Sequence, residues 1–113
     1  MDCIFCKIAD KKIKTEFVYA DDRVIAFKDI NPVSPEHMLI VPKQHIDKIS
    51  GLTTKDDSLI SHLIHVANTI ARQKHLDKKG YRLIFNCGED GGQVINHMHL
   101  HLIGGRKLNW PPG

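Results

Sequence analysis

The sequence has no long apolar run: Met38–Val41 is as long as any, far short of the roughly 18 residues that a membrane-spanning helix needs. Aromatic residues are scarce, at 6% of 113 residues, with Trp110 the single tryptophan. Cysteine is rare and odd in number, 3 in all, which argues against a disulfide framework. A dominant charge is missing too. Against 16 Lys and Arg stand 13 Asp and Glu, so the formal net charge is only +3, and the basic residues are scattered. That pattern carries no electrostatic footprint for duplex nucleic acid, while a small phosphorylated ligand is easily accommodated. The amino-terminal stretch Met1-Asp2-Cys3-Ile4-Phe5-Cys6-Lys7 has no basic-then-apolar leader. The expectation is a soluble, cytoplasmic protein with neither a membrane nor a nucleic-acid partner.

What is present is near the globular average, 42% hydrophobic and 26% charged, over a length that fits one domain at residues 1–113. A chain of this size buries roughly 65% of its unfolded surface. Neither an internal repeat nor a linker interrupts it. Cys3 to Ala9 reads as a short helical turn with Ile4, Phe5 and Ile8 on one side. Phe17–Ala20 and Arg23–Asp29 are β-rich runs around Asp21-Asp22, a hairpin signal. After Asn31-Pro32 and Ser34-Pro35 comes a third run, Met38–Val41, stopped by Pro42. Thr53 or Thr54 caps a helix whose apolar residues Leu59, Ile60, Leu63, Ile64, Ala67, Ile70 and Ala71 recur at three and four, closing near Lys78-Lys79-Gly80. Tyr81–Asn86 and His97–Ile103 complete five strand candidates. Strands on both sides of one main helix predict an α+β fold, a largely antiparallel sheet with a helix on one face.

Histidine is the unusual feature, 8 in all, three of them in His97-Met98-His99-Leu100-His101. In a strand, alternate side chains share a face about 6.6 Å apart, so the three imidazoles line one face and Met98, Leu100 and Leu102 the other. Three readings are open: a polar face, a zinc site of the His-x-His kind completed by His101, or phosphate chemistry. The loop Asn86-Cys87-Gly88-Glu89-Asp90-Gly91-Gly92-Gln93 leads straight into the row, and glycines there let backbone N–H groups approach an anion. A neutral imidazole can attack phosphorus if a partner on its other nitrogen holds the right tautomer.

With Asp29-Ile30-Asn31-Pro32, Pro35-Glu36-His37 to Pro42-Lys43-Gln44-His45, Gly91-Gly92-Gln93, Gly104-Gly105-Arg106 and Trp110-Pro111-Pro112-Gly113, this row resembles the histidine-triad (HIT) superfamily, Hint branch, over nearly the whole chain. The resemblance implies a five-stranded antiparallel sheet with a short amino-terminal helix and one long helix. It also implies a homodimer whose ten strands run on as one sheet. The implied activity is that of a nucleotide-binding hydrolase. It would cleave the P–N bond of purine nucleoside 5'-phosphoramidates (AMP-amine and AMP-lysine type) and acyl-adenylates through a nucleotidyl-histidine, with an AMP- or GMP-type ligand and no cofactor in catalysis.

Carried over residue by residue, His99 is the nucleophile, His101 binds the α-phosphate, His37 bonds within the cluster and orients His99, and His97, first of the row, completes the catalytic set. Asp29 resembles the carboxylate on the ribose hydroxyls, and Phe5, Ile8, Phe27 and Ile30 the purine slot, although these four also read as ordinary core. Asn86, Gly92 and Gln93 would lie along the phosphate, and Trp110 would cross the dimer to the leaving-group side. Val94 departs from the family, where a polar residue is common, and cannot donate a proton to a departing amine. Some HIT proteins bind structural zinc at positions matching Cys3, Cys6, His45 and His97. That closed tetrahedral set would clamp the amino-terminal turn and take His97 out of proton traffic. Cys87 reads as an inert loop thiol, and His62, His65 and His75 as a solvated helix face. Alternatives are a nucleotide-binding interaction protein with weak catalysis, a zinc-dependent hydrolase, and a nucleotidyl transferase or dinucleotide hydrolase of the same superfamily.

Overall fold

The computed structural model describes residues 3–113. Helix α1, Ile4–Ala9, starts at Cys3, whose sulfur accepts the Cys6 N–H at its amino terminus. Strands β1 (Tyr19–Ala20), β2 (Val24–Lys28) and β3 (Glu36–Pro42) follow, then helix α2 (Asp57–Gln73), β4 (Tyr81–Phe85) and β5 (Leu100–Gly104). All neighbours in the five-stranded sheet are antiparallel, in the order β1-β2-β3-β5-β4, so β5 inserts between β3 and β4. Among the described residues no helix is long and apolar enough to cross a membrane.

Val24–Phe27 and Met38–Val41 are apolar without alternation because both faces of these strands are covered. Val24, Ala26, Met38, Ile40, Met98, Leu100 and Leu102 pack on the α2 stripe of Leu59, Leu63, Val66, Ala67, Ile70 and Ala71. On the other face Ile25, Phe27, Leu39 and Val41 meet Cys3, Phe5 and Ile8 from α1. One helix face was expected; the short α1 supplies a second, smaller core, and the candidate site lies on that side.

Several boundaries differ from the sequence reading. Only Tyr19–Ala20 of the first run is paired in the sheet, although the Val18 N–H also reaches the Ala26 carbonyl at 2.8 Å. The last strand begins at Leu100 rather than His97, since register with Ile40 and Phe85 starts there. The long helix closes at Gln73, not near Lys78. His75 takes φ +59°, and the Leu76 N–H turns back to the Ala71 carbonyl at 2.8 Å, a left-handed cap that a histidine occupies in place of the usual glycine. Thr53 and Asp56 form a capping box on a single 3₁₀ turn ahead of α2. Ile4 and Ile64 are exposed, whereas Cys3 and Val66 are buried in their stead.

Candidate active site and metal cluster

Register decides which histidines meet. Leu39 faces His101 and His37 faces Ile103 across β3 and β5, which makes His37 and His101 diagonal neighbours on the α1 side. Their Nε2 and Nδ1 atoms lie 2.9 Å apart. The His99 ring stands 5.0 Å from that of His101, and the Phe5 ring packs its edge against His99 at 5.1 Å. His37, His97 and His99 are buried, and His101 is half-buried.

Backbone groups dictate the proton on each ring, because a peptide N–H only donates and a peptide carbonyl only accepts. The Val33 N–H donates to His37 Nδ1 at 3.2 Å, so the His37 proton sits on Nε2 and is donated to His101 Nδ1. His101 then carries its own proton on Nε2. His99 Nδ1 donates to the His97 carbonyl at 2.7 Å, which leaves the lone pair on Nε2. His97 Nε2 donates to the Pro42 carbonyl at 2.8 Å, which leaves its Nδ1 lone pair facing the thiols of Cys3 and Cys6.

The field around the pair favours neutral rings. Burial, helped by the nearby His99 and His37, pushes His101 down to about 4 against the opposing pull of Asp29. Burial also lowers His37, again opposed by Asp29, whose Oδ2 lies 3.3 Å from His37 Nε2. The other Asp29 oxygen accepts the Asn31 N–H at 2.8 Å. The sequence reading had His37 orient His99. In the structure His37 bonds His101 instead, and His99 is oriented by the main chain.

A second group converges beside the first. Donor atoms of Cys3, Cys6, His45 and His97 all lie within 4.8 Å of one another. Cys3 Sγ is 3.3 Å from His97 Nδ1, and Cys6 Sγ is 3.3 Å from His45 Nδ1 and 3.6 Å from His97 Nδ1. Edges of a tetrahedral zinc site with mixed sulfur and nitrogen ligands are about 3.6 Å, so the donors fit such an ion. Both rings have their far nitrogen anchored, His97 on the Pro42 carbonyl and His45 Nε2 on Asp47 Oδ1 at 2.7 Å, the outer-shell arrangement that aims a ligating imidazole. Burial and the adjacent Cys3 push the Cys6 thiol above its ordinary value, which a cation between the sulfurs would reverse. Asp29, His37 and His101 also converge within 4.8 Å, but the facing nitrogens of the two histidines already bond each other.

Phe5, Ile8 and Phe27 are buried in the second core, with Phe5 and Phe27 edge to face at 5.7 Å. Ile30, Val94 and Trp110 are 91%, 89% and 81% exposed, so none of the three is packed into this core. The glycine loop spends its polar groups on its own turn and on the segments that flank the cluster. Asn86 Nδ2 donates to the Gly91 carbonyl at 2.7 Å, and the Gly92 N–H donates to Glu89 at 3.0 Å. Gln93 donates to the carbonyls of Asp47 and Ile95 at 2.7 and 3.0 Å and accepts the Gly88 N–H at 3.0 Å. A Cβ at Gly91 would sit 2.3 Å from the Cys87 carbonyl oxygen, so only glycine fits there.

Sequence reasoning missed Asp47, although a carboxylate two residues beyond His45 was a readable signal. It also missed the acceptor and donor roles of Val33, Pro42 and His97 main chain, which no side-chain identity encodes. His62 keeps a part-exposed place on α2, yet it is tied rather than simply solvated: its Nε2 lies 2.6 Å from Asp21 Oδ2. Nor is Cys87 featureless, since hydrogen bonds from Ser50, with the charge of Lys48, lower its thiol pKa.

A family model described as "Scavenger mRNA decapping enzyme C-term binding" matches residues 2–109. The crystal structure of a HIT family hydrolase from Legionella pneumophila superposes with a TM-score of 0.97 at 44% identity, covering 99% of this chain and 100% of that one. The chain belongs to the histidine-triad (HIT) superfamily. This HIT protein is also 44% identical to a 14 kDa zinc-binding protein of Zea mays, over 97% of this chain and 87% of the relative. A histidine triad nucleotide-binding protein from Candida albicans is similar at 30% identity and a TM-score of 0.83, covering 97% of this chain and 83% of that one.

Proposed function

We propose that this HIT protein is a nucleotide-binding hydrolase that cleaves the P–N bond of purine nucleoside 5'-phosphoramidates. The observation that carries the reading is the hydrogen bond from His99 Nδ1 to the His97 carbonyl, which leaves a lone pair on Nε2, the form a histidine nucleophile needs. That lone pair forms a bond to the α-phosphorus as the P–N bond breaks, and the departing amine takes a proton from solvent, which the water of the second step gives back. Water then attacks the phosphorus of the nucleotidyl-histidine, releases the nucleoside monophosphate and restores His99. His101, kept neutral by burial, offers its Nε2–H to the phosphoryl oxygens, and His37 holds it there through the proton it donates.

Asp29 would take the ribose hydroxyls and Phe5, Ile8, Phe27 and Ile30 the purine of an AMP- or GMP-type ligand. The apolar surroundings of Phe5 against His99 support that slot. Asn86 and Gly92 shape the loop beside the phosphate from within their own turn, Gln93 ties that turn to Asp47, and Val94 offers no proton to the leaving amine. The named activity of the Legionella relative and the nucleotide binding named for the Candida relative support the hydrolase and its ligand class. Zinc fits Cys3, Cys6, His45 and His97, and the Zea mays relative's name supports it. Cys3 and Cys6 at the first turn of α1, His45 just after β3 and His97 just before β5 would hold the ion, and so held it would tie those three segments together.

Replacement of His99 by Ala is expected to lower kcat/KM on a fluorogenic adenosine phosphoramidate by about 10³-fold or more while leaving AMP binding within a few-fold. Wild-type protein that binds AMP and turns over no phosphoramidate would favour the interaction-protein reading. Activity lost to chelator and restored by zinc, with His99→Ala still active, would make the triad a ligand set.

A further inference from the structure

The His99 ring and the candidate metal cluster both depend on His97, the first on its carbonyl and the second on its ring. The carbonyl that accepts from His99 Nδ1 belongs to the peptide joining His97 to Met98. The N–H of that same peptide, on Met98, donates to the Ile46 carbonyl at 2.7 Å. Ile46 sits between His45, one ligand of the cluster, and Asp47, which anchors the His45 ring. The His97 ring, another ligand, has no exposed surface and is pinned at both nitrogens, to the Pro42 carbonyl and against the Cys3 and Cys6 sulfurs. The sheet offers no help, because ladder pairing of β5 begins only at Leu100. The other two ligands flank Phe5 on α1, and the Phe5 ring packs on both His97 and His99, at 5.8 and 5.1 Å.

From these contacts we infer that Cys3, Cys6, His45 and His97 are positioning residues for the nucleophile: ion occupancy of their cluster holds the His97–Met98 peptide plane, and that plane holds the proton of His99 on Nδ1. Without the fixed acceptor, the His99 proton is free to occupy Nε2, the atom that must attack. The cluster therefore controls the fraction of competent nucleophile and does more than clamp α1. The inference rests on the zinc assignment and on His99 as the attacking group, and the test separates all three.

Zinc content of the purified protein is measured first. Ring ¹⁵N spectra of His99 are then recorded, without substrate, for zinc-loaded protein, for protein stripped by chelator, and for Cys6→Ser and Cys6→His. The expected result is a single Nδ1–H tautomer in the loaded form and in Cys6→His, which keeps four donors. A tautomer mixture is expected in the stripped form and in Cys6→Ser, with kcat reduced about 10-fold or more beyond any change in KM. Far-ultraviolet circular dichroism identifies a form that has lost its fold, in which case the comparison of loaded wild type with Cys6→His and with a partly loaded titration carries the test. Stripped protein with an intact fold and an unchanged His99 tautomer overturns the inference and leaves zinc a clamp. Absence of stoichiometric zinc overturns it together with the zinc assignment. Full activity of His99→Ala removes the nucleophile reading instead.

Discussion

At the scale of single residues, the site works by withholding charge. Three imidazoles, His37, His97 and His101, are shifted toward the neutral form by burial, His101 to about 4. A neutral His101 can accept from His37 on Nδ1 and still donate from Nε2, which a charged ring could not do. The consequence for stability follows from proton uptake. An unfolded histidine takes up its proton near 6.5, and folded His101 only near 4, so the unfolded chain binds more protons in between. Stability is then full above about pH 6.5 and declines as pH falls toward 4. Urea midpoints at pH 7, 5.5 and 4.5 are expected to fall in that order. In His101→Gln, where His37, His99 and Asp29 still face the position, the fall is expected to be shallower at equal zinc content; an equal slope would exclude His101 as its source.

At the scale of elements, side-chain ties hold helices to the sheet where the sequence shows only turns. Asp21, between β1 and β2, accepts the Tyr19 hydroxyl at 2.7 Å, the Arg23 and Val24 amides at 2.8 Å each, and His62 Nε2 of α2 at 2.6 Å. Burial works against its charge, yet these four donors outweigh burial and hold its carboxyl well below the usual range. Replacement by Ala leaves two backbone donors and two side-chain donors without this acceptor, so Asp21→Ala is expected to cost about 1–3 kcal/mol in urea unfolding. Phosphoramidate turnover is expected to be unchanged, because the tie lies on the α2 side of the sheet. The hairpin signal at Asp21-Asp22 was legible from composition, but its closure onto α2 was not. His62 lies 41 residues beyond Asp21, and nothing in helical periodicity distinguishes a tied imidazole from a solvated one.

At the scale of the whole molecule, the sheet order leaves β4 at one edge with its residues only half-buried, Leu83 and Phe85 among them. An unpaired edge with apolar side chains is a template for another strand. Trp110, fully outside its own chain's core, lies with its ring 6.0 Å from the Arg82 guanidinium of the same strand. An edge of this kind suits the homodimer that the family resemblance implies, in which the sheet would run on through β4 into a second copy. Light scattering is expected to give twice the chain mass at micromolar concentration, with Leu83→Glu shifting it to one chain; a monomeric wild type would remove Trp110 from the partner's leaving-group side.

The sequence by itself determined the faces. Alternation in His97–Leu102 put Met98, Leu100 and Leu102 into the α2 core and the histidines on the opposite side, because period two is a property of extended chain and holds even where Met98 and His99 lie outside the ladder. The unbroken runs Val24–Phe27 and Met38–Val41 are buried on both faces, and the α+β class followed from the order of the runs. Only the tertiary structure decided which atoms meet. Strand register set His37 diagonal to His101, and folding brought Cys3 within 3.3 Å of His97 across 94 residues. The tautomers came last, since they depend on carbonyls and an amide of Pro42, His97 and Val33. Every residue but proline carries both groups, so their direction, which decides where each imidazole keeps its proton, leaves no mark in the order of side chains.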